Sequence, residues 1–199
     1  YADNSVERWS YDNLGNPTVW TNRRGNAVSY AYDGDARMTN KLCSGGSHAV
    51  YAYDGRGNMV SASNDTGLTT FAYNSQDQLT IVNYPSNRFL QFTYDSAGRR
   101  ASSVDQLGHR LTYGYDAPGR LRSITNELNQ RIVLYSYDAA GRLARKDLGN
   151  GVYTTYQYDR AGQVLYLVNC ASNSAVISRF DYTYDSQGRR TSMATVDGT

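Results

Sequence analysis

The sequence is short of large aliphatic side chains. Leu, Ile, Val and Phe together make 35 of its 199 residues, about 18 %, below the roughly 20 % at which disorder becomes a live reading. The companion sign of disorder, a high net charge, is missing: 20 Lys and Arg against 18 Asp and Glu leave +2. No 20-residue apolar run exists. The longest uncharged stretch, Ala161 to Ser178, is broken by Asn169, Ser172, Asn173 and Ser174, which excludes a membrane-spanning helix. The opening Tyr1-Ala2-Asp3-Asn4 lacks the basic start and apolar run of a signal peptide. Lysine is nearly absent, at 2 residues, and the 18 Arg form no dense run, so no nucleic-acid patch is expected. Cys43 and Cys170 make neither a metal-type spacing nor a CxxC, and they read as buried or idle thiols.

What is present in excess is tyrosine, 19 residues, and it is placed periodically. Tyr-Asp occurs at Tyr11-Asp12, Tyr32-Asp33, Tyr53-Asp54, Tyr94-Asp95, Tyr115-Asp116, Tyr137-Asp138, Tyr158-Asp159 and Tyr184-Asp185. Tyr73-Asn74 fills the one gap. The nine anchors are separated by 20 to 22 residues, apart from a final spacing of 26. Two residues before each anchor stands an aromatic: Trp9, Tyr30, Tyr51, Phe71, Phe92, Tyr113, Tyr135, Tyr156 and Tyr182. Four residues after it stands Gly15, Gly57, Gly98, Gly119, Gly141, Gly162 or Gly188, with Ala36 and Asp77 as exceptions. Arg, Asn or Gln follows at every copy, as in Arg99, Arg120, Arg142 and Arg189.

Each part of this unit has a physical reason. Aromatic-x-Tyr has period two, which puts both rings on one face of a β-strand, and aromatics suit a half-buried pleated surface. Asp-x-x-Gly is a type I turn with a left-handed fourth residue, a common hairpin connection. A second turn falls midway, at Asn22-Arg23-Arg24-Gly25, Ser44-Gly45-Gly46, Asn64-Asp65-Thr66-Gly67, Asn83-Tyr84-Pro85-Ser86, Asp105-Gln106-Leu107-Gly108, Asn126 to Asn129 and Asp147 to Asn150. Turns every ~10 residues make each unit a two-stranded hairpin.

The fold class predicted is therefore all-β: an antiparallel meander of tandem ~21-residue hairpins, roughly 18 strands of about 6–7 residues with almost no helix. So many meandering strands are expected to curl into a spiral or barrel-like wall. One array over 1–199 is expected, with an irregular copy over 163–183 carrying a lengthened loop and longer flanking strands, and with ends near turns at Asp3-Asn4 and Asp197-Gly198. The face opposite the rings carries Ser10, Ala31, Ala52, Ala72, Thr93, Gly114, Ser136, Gln157 and Thr183, none of them charged. On the ring face the tyrosines are expected to stack beside rings of neighbouring units as cross-strand pairs, each keeping a hydroxyl for water or a neighbour. The Arg after Gly is expected to pair with turn Asp residues of adjacent units. The cut edges of such an array invite self-association.

Tyr-Asp-Ala-Ala-Gly-Arg-Leu at 137–143, Tyr-Asp-Ala-Pro-Gly-Arg-Leu at 115–121 and Tyr-Asp-Ser-Ala-Gly-Arg-Arg at 94–100 resemble the YD repeats of the Rhs family. That family includes polymorphic toxins, cocoon components of toxin complexes and teneurin-type proteins. The resemblance covers essentially the whole chain. It implies a hollow β-shell, secreted or exported, whose partners are the rest of its own wall and an enclosed C-terminal toxin domain. The Asp-Pro-x-Gly self-cleavage motif that follows the repeats in toxin-bearing relatives has no match here.

No catalytic residue, cofactor or metal is expected, and the chain reads as a non-enzyme. His48 and His109 each sit alone in a turn region. Cys43-Ser44-Gly45-Gly46-Ser47-His48 reads as a hairpin turn, because a Cys/His site also needs an orienting third group. Asp33-Gly34-Asp35 lacks the ligand run of a calcium loop. Asn64-Asp65-Thr66 is a formal glycosylation sequon. The alternative reading is a carbohydrate- or cell-surface-binding aromatic module, against which stands the scarcity of Trp, with only Trp9 and Trp20.

Overall fold

A computed structural model describes residues 6–197; Asp3-Asn4 and Gly198 lie outside the described residues. The chain forms 18 strands and no helix among these residues. They are β1 (Arg8–Tyr11), β2 (Pro17–Thr21), β3 (Ala27–Tyr32), β4 (Met38–Cys43), β5 (His48–Tyr53), β6 (Met59–Asn64), β7 (Gly67–Tyr73), β8 (Leu79–Tyr84) and β9 (Arg88–Tyr94). Then come β10 (Arg100–Asp105), β11 (Arg110–Tyr115), β12 (Leu121–Thr125), β13 (Arg131–Tyr137), β14 (Leu143–Leu148), β15 (Tyr153–Tyr158), β16 (Val164–Cys170), β17 (Val176–Tyr184) and β18 (Arg190–Asp197). The chain divides into two compact units, Tyr1–Phe92 with Asp105–Leu107, and Thr93–Val104 with Gly108–Thr199.

Within each unit the strands are antiparallel and follow one another in chain order. Every anchor tyrosine is the last residue of its strand. At eight anchors the ladder slips there by one residue, so that Tyr32 faces Met38, Tyr53 faces Met59 and Tyr137 faces Leu143. The slip is a bulge created by the turn that follows. In that turn the Asp138 N–H donates to the Arg142 carbonyl (2.8 Å) and the Gly141 N–H to the Asp138 carbonyl (2.9 Å). The same two bonds recur at Asp12, Asp33, Asp54, Asn74, Asp95, Asp116, Asp159 and Asp185.

The fourth turn residue is left-handed even where it is not glycine. Ala36 has φ 59° and Asp77 φ 58°, so both exceptions in the repeat keep the repeat's geometry. The mid-unit turn at Asn22 uses the same bonds, Asn22 N–H to the Asn26 carbonyl (2.9 Å) and Gly25 N–H to the Asn22 carbonyl (3.0 Å). The turn read at Asp147 to Asn150 sits one residue later, from Leu148 to Gly151. In the irregular copy the extra length lies in the strands, seven residues in β16 and nine in β17. The turn between them, Ala171 to Ser174, has the ordinary bonds, so the loop itself is not lengthened. A longer ladder adds paired backbone groups, whereas a longer loop leaves them to water.

There is no dry core. Among the described residues no large side chain is fully buried, and only Val82, Val133 and Cys170 are buried hydrophobics. Within each unit the contacts among the described strands run between chain neighbours, so among the described residues no second layer covers either face of a unit. The ring face is half-buried while Ala31, Ala52, Ala72, Ser136 and Thr183 opposite it are exposed; β5 alternates exposed and half-buried along its whole length.

Left-handed backbone costs a non-glycine residue about 1–2 kcal/mol. Ala36→Gly is therefore expected to raise stability by about 1 kcal/mol, less the added chain entropy of Gly. Gly141→Val should lower it by about 2 kcal/mol or more, because its φ is 82° and an added Cβ would also press on the Arg120 guanidinium. Arg142→Ala should cost less than Gly141→Val. Denaturant midpoints of the three variants check the order, and an unchanged midpoint for Gly141→Val would refute the turn assignment.

Candidate functional site

The repeat residues converge on the seam where one hairpin meets the next, starting from the turn carboxylate. Asp138 Oδ1 accepts from the N–H groups of Ala140 (3.0 Å) and Arg142 (2.9 Å). Its Oδ2 accepts from Arg142 Nε (2.7 Å). Arg37 on Asp33, Arg99 on Asp95, Arg120 on Asp116 and Arg189 on Asp185 repeat the clamp at 2.7–2.8 Å. Asn16 and Asn58 replace Arg and still reach Asp12 and Asp54, at 3.0 and 3.2 Å. At two turns led by an amide the partner is Gln: Asn74 with Gln78 (2.8 Å) and Asn126 with Gln130 (3.0 Å). The Arg thus pairs within its own turn, which corrects the expectation of pairing between units. The turn holds residue five close to residue one, and the adjacent unit is farther away. Arg56 does cross, reaching Asp77 at 3.0 Å, because it occupies a different turn position.

The same guanidinium performs a second task. Arg37 lies over the Tyr53 ring, Arg99 over Tyr115, Arg120 over Tyr137 and Arg142 over Tyr158, at 5.0, 4.4, 4.3 and 4.6 Å from the centroids. At these four seams a cation covers the ring face where a neighbouring ring was expected. Each contact contributes about 0.5–1 kcal/mol at such exposed sites. Arg142 Nη1 also donates to the Asp159 carbonyl (3.0 Å). A ring pair of the expected kind is Trp9 with Trp20, 5.9 Å apart.

The anchor hydroxyl closes the seam. It donates to the carbonyl six residues after the preceding anchor. Tyr32 meets Pro17, Tyr53 Met38, Tyr73 Met59, Tyr115 Arg100, Tyr137 Leu121, Tyr158 Leu143 and Tyr184 Val164, at 2.6–3.0 Å. That carbonyl belongs to the residue facing the preceding anchor across the bulge. Burial pushes the Tyr137 and Tyr158 hydroxyls above their ordinary pKa, so they remain protonated donors. Of the remaining repeat residues, Tyr11 closes β1 at one end of the array, Tyr94 closes β9, and Gly15, Gly57, Gly98, Gly119, Gly162 and Gly188 are left-handed turn residues like Gly141.

Two further Arg–Asp–Tyr groups escape the repeat. Arg145 forks onto Asp147 (2.7 and 2.9 Å) and lies 3.7 Å from the Tyr153 ring centroid. Arg179 forks onto Asp181 and lies 4.3 Å from that of Tyr166. Their signal in the sequence is Arg-x-Asp at period two within a strand.

The stretch from Cys43 to His48 is a hairpin turn, with Gly46 N–H on the Cys43 carbonyl (2.9 Å). His48 Nδ1 lies 2.8 Å from Asp65 Oδ1 in the following hairpin. Both cysteines are free thiols, Cys43 half-buried and Cys170 buried. His109 precedes β11. No three His, Cys, Asp or Glu side chains among the described residues converge as a metal site.

Tyr137→Phe removes only the hydroxyl on the Leu121 carbonyl and should cost about 1 kcal/mol; an unchanged unfolding midpoint would show that water replaces the bond at no loss. The turn carboxyls of Asp33, Asp95, Asp138 and Asp185 titrate below their ordinary 3.8. At Asp95 the Arg99 side chain is the largest cause, and at Asp33, Asp138 and Asp185 it is the backbone N–H of Arg37, Arg142 and Arg189. A depressed folded pKa gives stability that is present above the ordinary value and lost as pH falls through the folded one. Thermal midpoints should therefore hold from pH 7 to about 5 and drop steadily below about 4. A flat profile down to pH 2.5 would contradict the clamp.

The family described as Teneurin YD-shell matches residues 2–104, and RHS Repeat matches 94–131, 115–152 and 137–167. Among solved structures the chain is similar to crystal structures of TcdB2-TccC3-TEV (TM-score 0.73, 17 % identity) and TcdB2-TccC3-Cdc42 (0.75, 16 %). It is also similar to the Photorhabdus luminescens Tc holotoxin pore (0.64, 17 %). The matches cover 96 % of this chain but only 11 %, 11 % and 12 % of those chains, so the likeness concerns the fold of one stretch of much longer proteins. With Teneurin YD-shell spanning more than half of the residues, and with the same tyrosine-led turns continuing through the RHS repeats to β17 and β18, the chain belongs to the YD-shell family of RHS-type repeat proteins.

Proposed function

We propose that this chain is a stretch of wall in a larger hollow β-shell, and that the complete shell encloses a C-terminal toxin domain carried by the same secreted or exported protein. The observation that carries this reading is the seam. The anchor rings and hydroxyls, together with the turn carboxylates, are occupied by the adjacent repeat or by their own turn. Side chains used up in this way build a surface and leave little chemistry over, which fits a structural and non-catalytic role. The fold shared with much longer Tc toxin chains supports the placement in a shell.

The same occupancy weighs against a glycan-binding array. Sugars stack on open ring faces, and here one face of Tyr53, Tyr115, Tyr137 and Tyr158 lies under a guanidinium.

Limited proteolysis of the full-length protein that carries this array tests the enclosure. A C-terminal segment inside the shell should resist added protease. It should become cleavable when two repeats, residues 116–158, are excised. Digestion at the same rate with and without the excision would refute the enclosing role while leaving the wall itself intact.

A further inference from the structure

The four seams that carry a guanidinium on the following anchor's ring define a common place for it. Its Nη1 reaches the carbonyl of the residue after that anchor, Asp159 for Arg142 (3.0 Å) and Asp54 for Arg37 (3.5 Å). It also lies against the fourth residue of the following turn. A Cβ added to Gly57, Gly119 or Gly141 would stand 3.2–3.4 Å from Nη1 of Arg37, Arg99 or Arg120.

The seam between Tyr53 and Tyr73 differs. Its fifth turn residue is Asn58, and among the described residues no guanidinium lies on the Tyr73 ring. A cavity of about 550 Å³ opens there, lined by Asp54, Arg56, Phe71, Tyr73, Asn74 and Asp77. The fourth residue of the Tyr73 turn is Asp77, so a carboxylate projects from the position that a guanidinium packs against elsewhere. Asp77 Oδ1 accepts from Asn58 Nδ2 (2.9 Å) and Arg56 Nη1 (3.0 Å), and its Oδ2 has no partner among the described residues. Arg56 goes on to the Ser75 carbonyl (3.1 Å) and not to the ring. The Asn74 carbonyl accepts its own turn's Asp77 N–H (3.1 Å), as Asp159 accepts that of Gly162 (3.2 Å), and it carries a second lone pair. Two carboxylates against one guanidinium leave the lining one negative charge. Burial, and after it the Asp54 charge, pushes the Tyr73 hydroxyl above its ordinary pKa. Asn16 leaves Tyr32 without a cation too, but the fourth residue of the Tyr32 turn is the uncharged Ala36.

We infer that this cavity binds a guanidinium group from outside the array, carried on an arginine side chain. Its plane stacks on the Tyr73 ring. One N–H donates to the Asn74 carbonyl and another to Asp77 Oδ2, a charge-assisted bond. The sister seams fill the same place with their own arginine, so the array itself specifies the chemistry of the ligand. An ammonium has no plane to lay on the ring and fits less well. Nothing in the site depends on what the shell encloses.

Titration of the 199-residue chain with N-acetyl-arginine methylamide, followed through backbone amide chemical shifts, tests the site. The arginine compound should saturate with a dissociation constant on the order of 1 mM, and the shifts should fall on residues 54–58 and 73–77. The citrulline analogue has the same length without the charge and should bind about tenfold more weakly. Two substitutions move the seam toward its sisters, so the fold should survive both. Asn58→Arg supplies the guanidinium from within; it should abolish binding and raise the thermal midpoint. Asp77→Gly removes the carboxylate and relaxes a left-handed residue; it should weaken binding about tenfold. Three results would overturn the inference: no saturable shift with the arginine compound, equal binding of the citrulline analogue, or binding that Asn58→Arg leaves undiminished.

Discussion

A tyrosine hydroxyl reaching back to a backbone carbonyl of the preceding hairpin is the constraint on which the rest of this molecule depends. A single layer of sheet cannot bury much on either face, so its hairpins need contacts that work while half wet. Phenylalanine would supply area but no directed bond, and serine a bond but no area. Tyrosine supplies both, provided that an acceptor stands at a fixed place. The bulge provides that place, since it presents the carbonyl opposite each anchor to the anchor one repeat later. Turn, bulge, ring and carbonyl are therefore one device, and loss of the left-handed turn residue would displace all four.

Stability in such an array resides in nearest-neighbour seams and not in a common centre. The clamp inside each turn makes the guanidinium a fixed object: Nε is held by the carboxylate, which leaves the plane free to lie over the next ring. A cation already ordered by its own turn loses less freedom when it covers that ring. The two strand-borne groups, Arg145 with Asp147 and Arg179 with Asp181, use the same economy on β14 and β17.

The anchors, the turns and the two-faced strands were legible in the residues because period two and Asp-x-x-Gly act over distances that the chain itself sets. Even Ala36 and Asp77, which break the glycine rule, sat where the register required a left-handed residue. The partner of each Arg was not legible. Its clamp and its ring lie 4 and 16 or 17 residues away in opposite directions, and spacing alone does not say which contact a long side chain prefers. Ring-on-ring stacking was inferred for the same reason, since composition cannot show that a cation occupies the space between rings. In the last copy the longer flanking strands follow from the spacing, but the lengthened loop does not form, because pairing with the next strand decides the state of the extra residues.

The clamp has a further property. Its backbone geometry is the same whether the pair is Asp with Arg, Asp with Asn or Asn with Gln. The first pair is neutral overall but strongly dipolar, the second carries a net negative charge, and the third carries none. Each turn can therefore change its electrical character without moving a strand, and the rim of the wall is a row of independently adjustable charges. Two shells with superimposable walls can thus meet their surroundings with a neutral rim or a negative one.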